Sequence, residues 1–381
     1  MTQVLILTAA FGEGHNAAAR GLQGAFAREN LQADVVDLFS RAHGPRYDRS
    51  RKAYLHVVNK TPWLWAAFFR LLHRLPLEQG FGFALHALRS ELQRVLEETQ
   101  PRVVISVYPL YACLFEALHP ATTPHPPFFT VITDSLTINA IWYRVGPHPL
   151  LLPNTDTLRV LEQCGVPRAR MHVSGFPVSP RFADPAPPRP DPGEIARPKV
   201  LLMVNGQPEQ AVTLVQRLQC EDRFDLTVTV GRDAALGRAL EEAHASSPHP
   251  PRVLGWVDEV PSLLRAHHVL IGKAGGATVQ ETLAAGTPML MTQIFPGQEE
   301  GNARLLIERD CGAFCATPGE VIATLHAWFA QGGARWREVH QNTLSLGNPN
   351  AALETVRWIV GHPRVQSLRG GRGGALCPTP G

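Results

Sequence analysis

At 381 residues, 44% hydrophobic and 18% charged, the chain is long for one hydrophobic core and comfortable for two, with the composition of an ordinary globular protein. A formal net charge of +3 is too mild to argue for nucleic acid, which needs a concentrated basic face. Six cysteines without a CxxC pair, and with one lone CxxxC at Cys311 and Cys315, indicate neither a zinc site nor a disulfide framework, so they read as reduced thiols of a cytosolic protein.

The first residues, Met1-Thr-Gln-Val-Leu-Ile-Leu, carry no basic residue before a short apolar run, which makes them a first strand and not a secretory signal. No apolar run reaches the roughly 20 residues of a membrane span. The strand Val4 to Leu7 opens into a glycine loop with Gly12, Gly14 and His15, and a helix is predicted from about Ala17 to Arg28. A histidine at a helix entrance is kept neutral by the positive end of the dipole and suits a general base; it equally suits a cap or a packing position.

Between Arg41 and Leu96 the composition shifts. Arg41, Arg46, Arg49, Arg51 and Lys52 face only Asp48, and then Tyr54, Trp63, Leu64, Trp65, Phe68, Phe69, Leu71 and Leu72 cluster around Arg70 and Arg74. Basic residues beside dense aromatics suit an anionic membrane surface, each Lys or Arg adding about 1 kcal/mol there. Leu64, Phe68 and Leu71 also recur at helical spacing, which suits a buried core helix.

From Pro101 an α/β rhythm resumes. Val103 to Val107 and Phe128 to Thr133 read as buried strands, and the second ends in Thr133-Asp134. A carboxylate past the C-terminal end of a parallel strand is placed to orient His15, to meet a ligand or to cap the next helix. Leu150 to Leu152 and a helix near Thr157 to Gln163 continue the alternation. The proline-rich stretch Ala183 to Pro198 cannot lie inside a sheet or helix and reads as a stiff linker. Beyond it come strands at Val200 to Val204 and Leu226 to Val230, a glycine-poor loop at Asn205 to Glu209, and the stretch Val253-Leu254-Gly255-Trp256-Val257 ahead of Asp258 and a helix from Val260 to Ala266.

The densest stretch runs from Val269 to Leu305. An apolar strand, the turn Gly272-Lys273-Ala274-Gly275-Gly276 and a helix from Thr278 to Ala285 make an anion-binding geometry. Glycine lets backbone N–H groups approach a ligand, and a helix start presents unpaired donors and positive potential. Glu281, one turn in, is placed to accept from two ribose hydroxyls, each charge-assisted bond contributing roughly 1.5 to 3 kcal/mol. The strand Pro288 to Gln293 leads to a loop, Pro296 to Asn302, whose acceptors and amides suit a polyol. No Asp-x-Asp pair stands at a strand end, so no metal is expected. Ile322 to Gln331 and Ala351 to Val360 read as closing helices, and the Gly- and Pro-containing end as a disordered tail.

Lys273-Ala-Gly-Gly-Ala-Thr278, Gln280-Glu281, Gly286-x-Pro288 and Gly297-Gln298-Glu299-Glu300-x-Asn302, in this order, resemble the donor-binding signature of glycosyltransferase family 28. The wording is nearest the monogalactosyldiacylglycerol synthases and processive diacylglycerol glucosyltransferases. Gly12-x-Gly14-His15 matches the same family's first-loop landmark. The resemblance implies an α/β GT-B fold of two Rossmann-like doubly wound domains facing a cleft. They would span 1–182 and 199–345, joined by a linker at 183–198, with a closing helix at 346–362 and a tail at 363–381.

It implies an inverting transfer of a hexose from a UDP-sugar to a diacylglycerol-type lipid, without cofactor or metal, by a protein lying peripherally on the cytoplasmic face of the plasma membrane. His15 would be the base, with Asp134 beside it. Glu281 would hold the ribose, while Gly14, Gly255, Val257, Lys273, Gly275, Gly276 and Thr278 surround the nucleotide, and Gln298, Glu299 and Asn302 meet the sugar hydroxyls. Trp63, Trp65, Phe68, Phe69, Arg70, Asn139 and Trp142 would face the acceptor and the anionic membrane surface. Asn139 stands where lipid-glycosylating members carry a histidine, and asparagine hydrogen-bonds without shuttling a proton at neutral pH. Polyprenyl-linked sugar transfer, UDP-sugar epimerisation and UDP-sugar sensing without turnover are the alternatives.

Overall fold

A computed structural model describes residues 3–44, 85–119, 125–204, 208–295, 297 and 299–366. The aromatic and basic residues Trp63, Trp65, Phe68, Phe69 and Arg70 lie outside the described residues, as do Gln298 and the predicted tail from 367 on. The chain divides into two compact units: Met1–Thr133 with Ile138–Pro180 and Asn350–Gly381, and Asp134–Thr137 with Arg181–Pro349.

The first unit is built on a six-stranded sheet in the order β2-β1-β3-β4-β5-β6, every pairing parallel. Its strands are β1 (Val4–Thr8), β2 (Ala33–Asp37), β3 (Val103–Ser106), β4 (Phe128–Val131), β5 (Leu150–Leu152) and β6 (Met171–Val173). The unbroken apolar run Val4 to Leu7 is fully buried because helices cover both faces of a parallel sheet. The helices are α1 (Glu13–Arg28), α2 (Leu38–His43), α3 (His86–Thr99), α4 (Tyr111–Leu118) and α5 (Thr155–Gln163), with α13 (Ala351–Gly361) returning from the far end of the chain. A Cβ on Gly21 would stand 1.9 Å from the Pro177 carbonyl oxygen, so glycine is what lets α1 lie on that backbone. Arg357 on α13 pairs with Glu29 at the end of α1 (2.9 Å).

The second unit holds another six-stranded parallel sheet, ordered β12-β11-β10-β7-β8-β9. The strands are β7 (Lys199–Met203), β8 (Asp225–Thr229), β9 (Arg252–Leu254), β10 (Val269–Lys273), β11 (Met289–Gln293) and β12 (Gly312–Phe314). Between and after them run α6 (Pro208–Glu221), α7 (Ala234–His244), α8 (Val260–Ala266), α9 (Gly276–Ala285), α10 (Glu300–Glu308), α11 (Pro318–Phe329) and α12 (Ala334–Leu346). Val200, Leu202, Val228, Ile271 and Leu290 pack there with Trp328 and Trp336.

Several boundaries differ from the predicted ones. The first helix starts at Glu13, not Ala17, because extended Gly12 (φ −171) acts as its N-cap, which puts His15 inside the first turn. The helix near Thr278 starts at Gly276 for the same reason, with extended Gly275 as N-cap. The strand predicted over Val200 to Val204 ends at Met203, and β9 ends at Leu254, leaving Gly255 and Val257 in a loop. No described helix is long and apolar enough to cross a membrane.

Candidate active site

The strand ends of the first sheet carry His15. It is buried, and its Nδ1 lies 2.8 Å from the Val107 carbonyl oxygen and 3.0 Å from Thr133 Oγ1. A carbonyl can only accept, so Nδ1 bears the proton and the lone pair sits on Nε2. Burial pushes the imidazole pKa down to about 4, partly offset by the bond to Val107. The ring is therefore neutral at physiological pH. It meets the Tyr108 ring edge-on at 5.1 Å between centroids and the Trp142 ring at 6.1 Å.

Tyr108 belongs to a group of aromatics that the sequence reading missed. Phe11 packs on Phe39 at 4.7 Å and on Tyr108 at 6.1 Å, and Tyr108 on Tyr111 at 5.2 Å. Phe11, Phe39 and Tyr108 each follow a strand C-terminus, and that position was the available signal. Trp142 is buried, and Asn139 uses its side-chain oxygen to accept from the Ile141 N–H as N-cap of a 3-10 turn over Ala140–Trp142. Thr133 Oγ1 reaches His15 Nδ1, and its neighbour Asp134 heads a buried segment grouped with the second unit, where Gln280 donates to Ser135 Oγ (3.3 Å). Gly14 sits beside His15 in the first turn of α1.

The strand ends of the second sheet carry the glycine turn. A register shift between Gly272 and Lys273 on β10 frees the end of the strand from regular pairing with β11. Lys273 Nζ then lies 3.1 Å from Glu299 Oε1 and 5.0 Å from the centre of the Phe295 ring. The other Glu299 oxygen accepts from the Phe295 N–H (3.1 Å). A Cβ on Gly275 would meet Lys273 Cε, Thr278 Oγ1 and Glu299 Oε1 at 3.5, 3.8 and 3.9 Å, so three of the predicted side chains converge on this glycine.

The α9 N-cap makes no side-chain hydrogen bond, so the helix opens with backbone donors at Gly276, Ala277 and Thr278 and positive potential beside the Lys273 ammonium. Asn302 closes the group: its Nδ2 donates to the Ala274 carbonyl (3.2 Å), while its buried Oδ1 has no hydrogen-bond partner among the described residues. Glu281 is half-buried in the middle of α9. Gly255 and Val257 follow β9, three strand spacings from β10, about 14 Å away across the sheet. They are not in the Lys273 cluster, but α8 leads from their loop directly into β10.

The comparisons agree with this architecture. A family model described as monogalactosyldiacylglycerol (MGDG) synthase matches residues 15–178. A probable chloroplastic monogalactosyldiacylglycerol synthase from Glycine max is 26% identical over 376 residues, covering 93% of this chain and 70% of that protein. Monogalactosyldiacylglycerol synthase 1 of Arabidopsis thaliana, also chloroplastic, is 26% identical over 377 residues with the same coverage. Among solved structures, a UDP co-structure of S. aureus MnaA gives a TM-score of 0.61 at 12% identity, covering 94% of this chain and 96% of that one. Acinetobacter baumannii MurG gives 0.58 at 15% identity, covering 94% and 99%.

The protein thus has the GT-B fold of two Rossmann-like domains. That fold does not choose a chemistry, since a putative UDP-N-acetylglucosamine 2-epimerase from Listeria monocytogenes also gives a TM-score of 0.60, at 12% identity and 94% coverage of each chain. In sequence the chain is monogalactosyldiacylglycerol synthase-like along nearly its whole length, consistent with glycosyltransferase family 28.

Proposed function

We propose that the protein is a hexosyltransferase that glycosylates a lipid, moving a hexose from a UDP-sugar to a diacylglycerol-type hydroxyl with inversion and without a metal. The observation that carries this reading is the neutral His15 imidazole, its Nδ1 proton held by Val107 and its Nε2 left as acceptor. In the reaction the lipid hydroxyl oxygen forms a bond to the anomeric carbon, its proton passes to His15 Nε2, and the bond from that carbon to the UDP oxygen breaks. UDP leaves with one more negative charge. The first backbone N–H groups of α9 and the Lys273 ammonium are suited to hold it.

Glu281 is assigned to the ribose, the Gly255–Val257 loop to the base, and Gln298, Glu299 and Asn302 to the hexose; the Oδ1 of Asn302, without a hydrogen-bond partner among the described residues, supports a hydroxyl donor nearby. The aromatic rings around His15 support an apolar acceptor. An anionic membrane on the cytoplasmic face, contacted by Trp63, Trp65, Phe68, Phe69 and Arg70, supplies it. The curated relatives, named for synthesis of a diacylglycerol galactolipid, favour this over epimerisation.

The test is to incubate the protein with UDP-galactose or UDP-glucose and vesicles holding diacylglycerol and an anionic lipid, with His15→Ala as control, and to search the lipids by mass spectrometry. A hexosyl-diacylglycerol made only by the unmutated protein is expected. Sugar transfer to no lipid, or release of an epimerised nucleotide sugar instead, rejects the reading.

A further inference from the structure

The stretch predicted as a linker contains one side chain with an unusual number of partners. Arg189 donates through Nε to the Arg265 carbonyl (3.1 Å), through Nη1 to the Gly286 carbonyl (2.9 Å), and through Nη2 to the Leu264 and Ala285 carbonyls (both 3.3 Å) and to Thr287 Oγ1 (2.7 Å). Leu264 and Arg265 lie in the last turn of α8; Ala285 and Gly286 end α9, Gly286 being its left-handed C-cap (φ 63). Thr287 reinforces the junction by donating to the Leu264 carbonyl (2.8 Å), and His340 places Nδ1 2.6 Å from the Gly286 oxygen. The guanidinium therefore gathers the orphan carbonyls of two helix ends, where a cation is also favoured by both dipoles. Desolvation lowers its pKa to about 10, which still leaves it charged at neutral pH.

These two helices carry the two ends of the proposed donor site. The loop Gly255–Val257 leads into the start of α8, and the anion-binding turn is the start of α9. Each is short and rigid, about 10 and 15 Å long at 1.5 Å per residue, so a shift at the far end is felt at the near end.

We propose that Arg189 is a positioning residue for the donor: by tying the C-terminal ends of α8 and α9 together it sets the spacing between the nucleobase loop and the diphosphate turn. This rests on the donor reading given above. A planar five-donor fork is required, because a lysine ammonium has three donors at one point and cannot reach both helix ends.

The test measures UDP binding by calorimetry and steady-state kinetics in Arg189→Ala, Arg189→Lys and Thr287→Val, with the fold checked by circular dichroism. Arg189→Ala should raise both the Kd for UDP and the KM for the UDP-hexose on the order of tenfold, corresponding to one lost charged hydrogen bond. kcat and the KM for lipid should stay within about twofold, with Arg189→Lys restoring little and Thr287→Val falling between. If Arg189→Ala does not fold, the other two variants decide. Lowered Tm with unchanged UDP affinity makes the contact merely structural and overturns the proposal. Failure of the unmutated protein to bind UDP overturns the donor reading and this proposal with it, and is seen before any variant is made.

Discussion

His15 Nδ1 lies 2.8 Å from the carbonyl oxygen of Val107, a residue 92 positions further along the chain. That contact decides which nitrogen accepts a proton, and burial keeps the ring unprotonated. Replacing His15 with alanine should lower kcat by about 10²- to 10⁴-fold, the usual contribution of a general base. UDP affinity should stay the same, since the proposed role of His15 is to take the acceptor's proton and not to hold the nucleotide. Titrating the variant with UDP by calorimetry checks the second half, and parallel loss of binding and turnover would remove His15 from the base role.

The same burial predicts the pH profile. With the His15 pKa lowered to about 4, kcat/KM should be flat on its acid side through pH 6.5 and fall only on approach to about pH 4. An exposed histidine base would already be half lost at pH 6.5. Initial rates between pH 5 and 8 on saturating vesicles separate the two, and a limb centred near 6.5 would show that another group is titrating.

Acid stability follows from His268 by linkage. Its Nδ1 accepts from the Lys199 N–H (3.0 Å), its Nε2 donates to the Pro190 carbonyl (3.0 Å), and burial lowers its pKa to about 4. A proton on Nδ1 would point at another N–H, so the folded state resists it. Between about pH 6.5 and 4 the unfolded chain binds the proton and the folded chain does not. Stability is therefore full above 6.5 and is lost as pH falls toward 4. Tm measured at pH 7.5, 5.5 and 4.5 should drop in that order. His268→Gln should flatten the slope without abolishing it, because His15 contributes in the same direction.

Much of this was legible in the sequence wherever the signal is local. The turn from Gly272 to Gly276 announces itself because strand, glycine and helical periodicity are written within about five residues of one another. The helix starts at Glu13 and Gly276 were placed too late, because Gly14 and Gly276 have poor helix propensity, yet a helix begins wherever an extended N-cap allows it. Contacts between distant residues left no trace in the sequence. Thr133 on His15, the Phe11 and Phe39 rings beside Tyr108, and Arg189 on helix ends 75 and 96 residues away arise from sheet order and helix packing. The prolines of Ala183 to Pro198 mark a stiff, extended segment, but nothing local shows that Arg189, Pro190 and Asp191 within it bond to the rest of the second unit.

Gly21 offers a stability test on the first unit. An alanine there would drive Cβ to 1.9 Å from the Pro177 oxygen and 2.8 Å from the Val178 oxygen, both backbone atoms with little room to retreat. Alanine's better helix propensity returns at most about 1 kcal/mol. Overpacking against backbone costs about 1 to 3 kcal/mol or more, so the net change should be destabilising. Urea unfolding should show a lower midpoint at unchanged slope; an unchanged midpoint would mean that α1 can slide off the 177–178 backbone without penalty.

Lys273 and Glu299 form the pair whose separation tests the donor site most directly. They lie 3.1 Å apart, with Glu299 buried and its second oxygen held by the Phe295 N–H. Lys273→Met removes the cation beside the turn and leaves a buried carboxylate uncompensated, so UDP should bind about 10- to 100-fold more weakly, as losing a charge-assisted bond to phosphate implies. Glu299→Gln should act in the opposite sense on UDP. It keeps the shape, removes the charge that competes for Lys273, and leaves the ammonium to the diphosphate, so UDP affinity should hold or rise. The same change should lower kcat/KM for the UDP-hexose, because the proposed carboxylate acceptor for sugar hydroxyls is gone. Titrating both variants with UDP and with the UDP-hexose separates the contributions. If Glu299→Gln weakens UDP as much as Lys273→Met does, the two residues act as one structural unit, and Glu299 has no part of its own in reading the sugar.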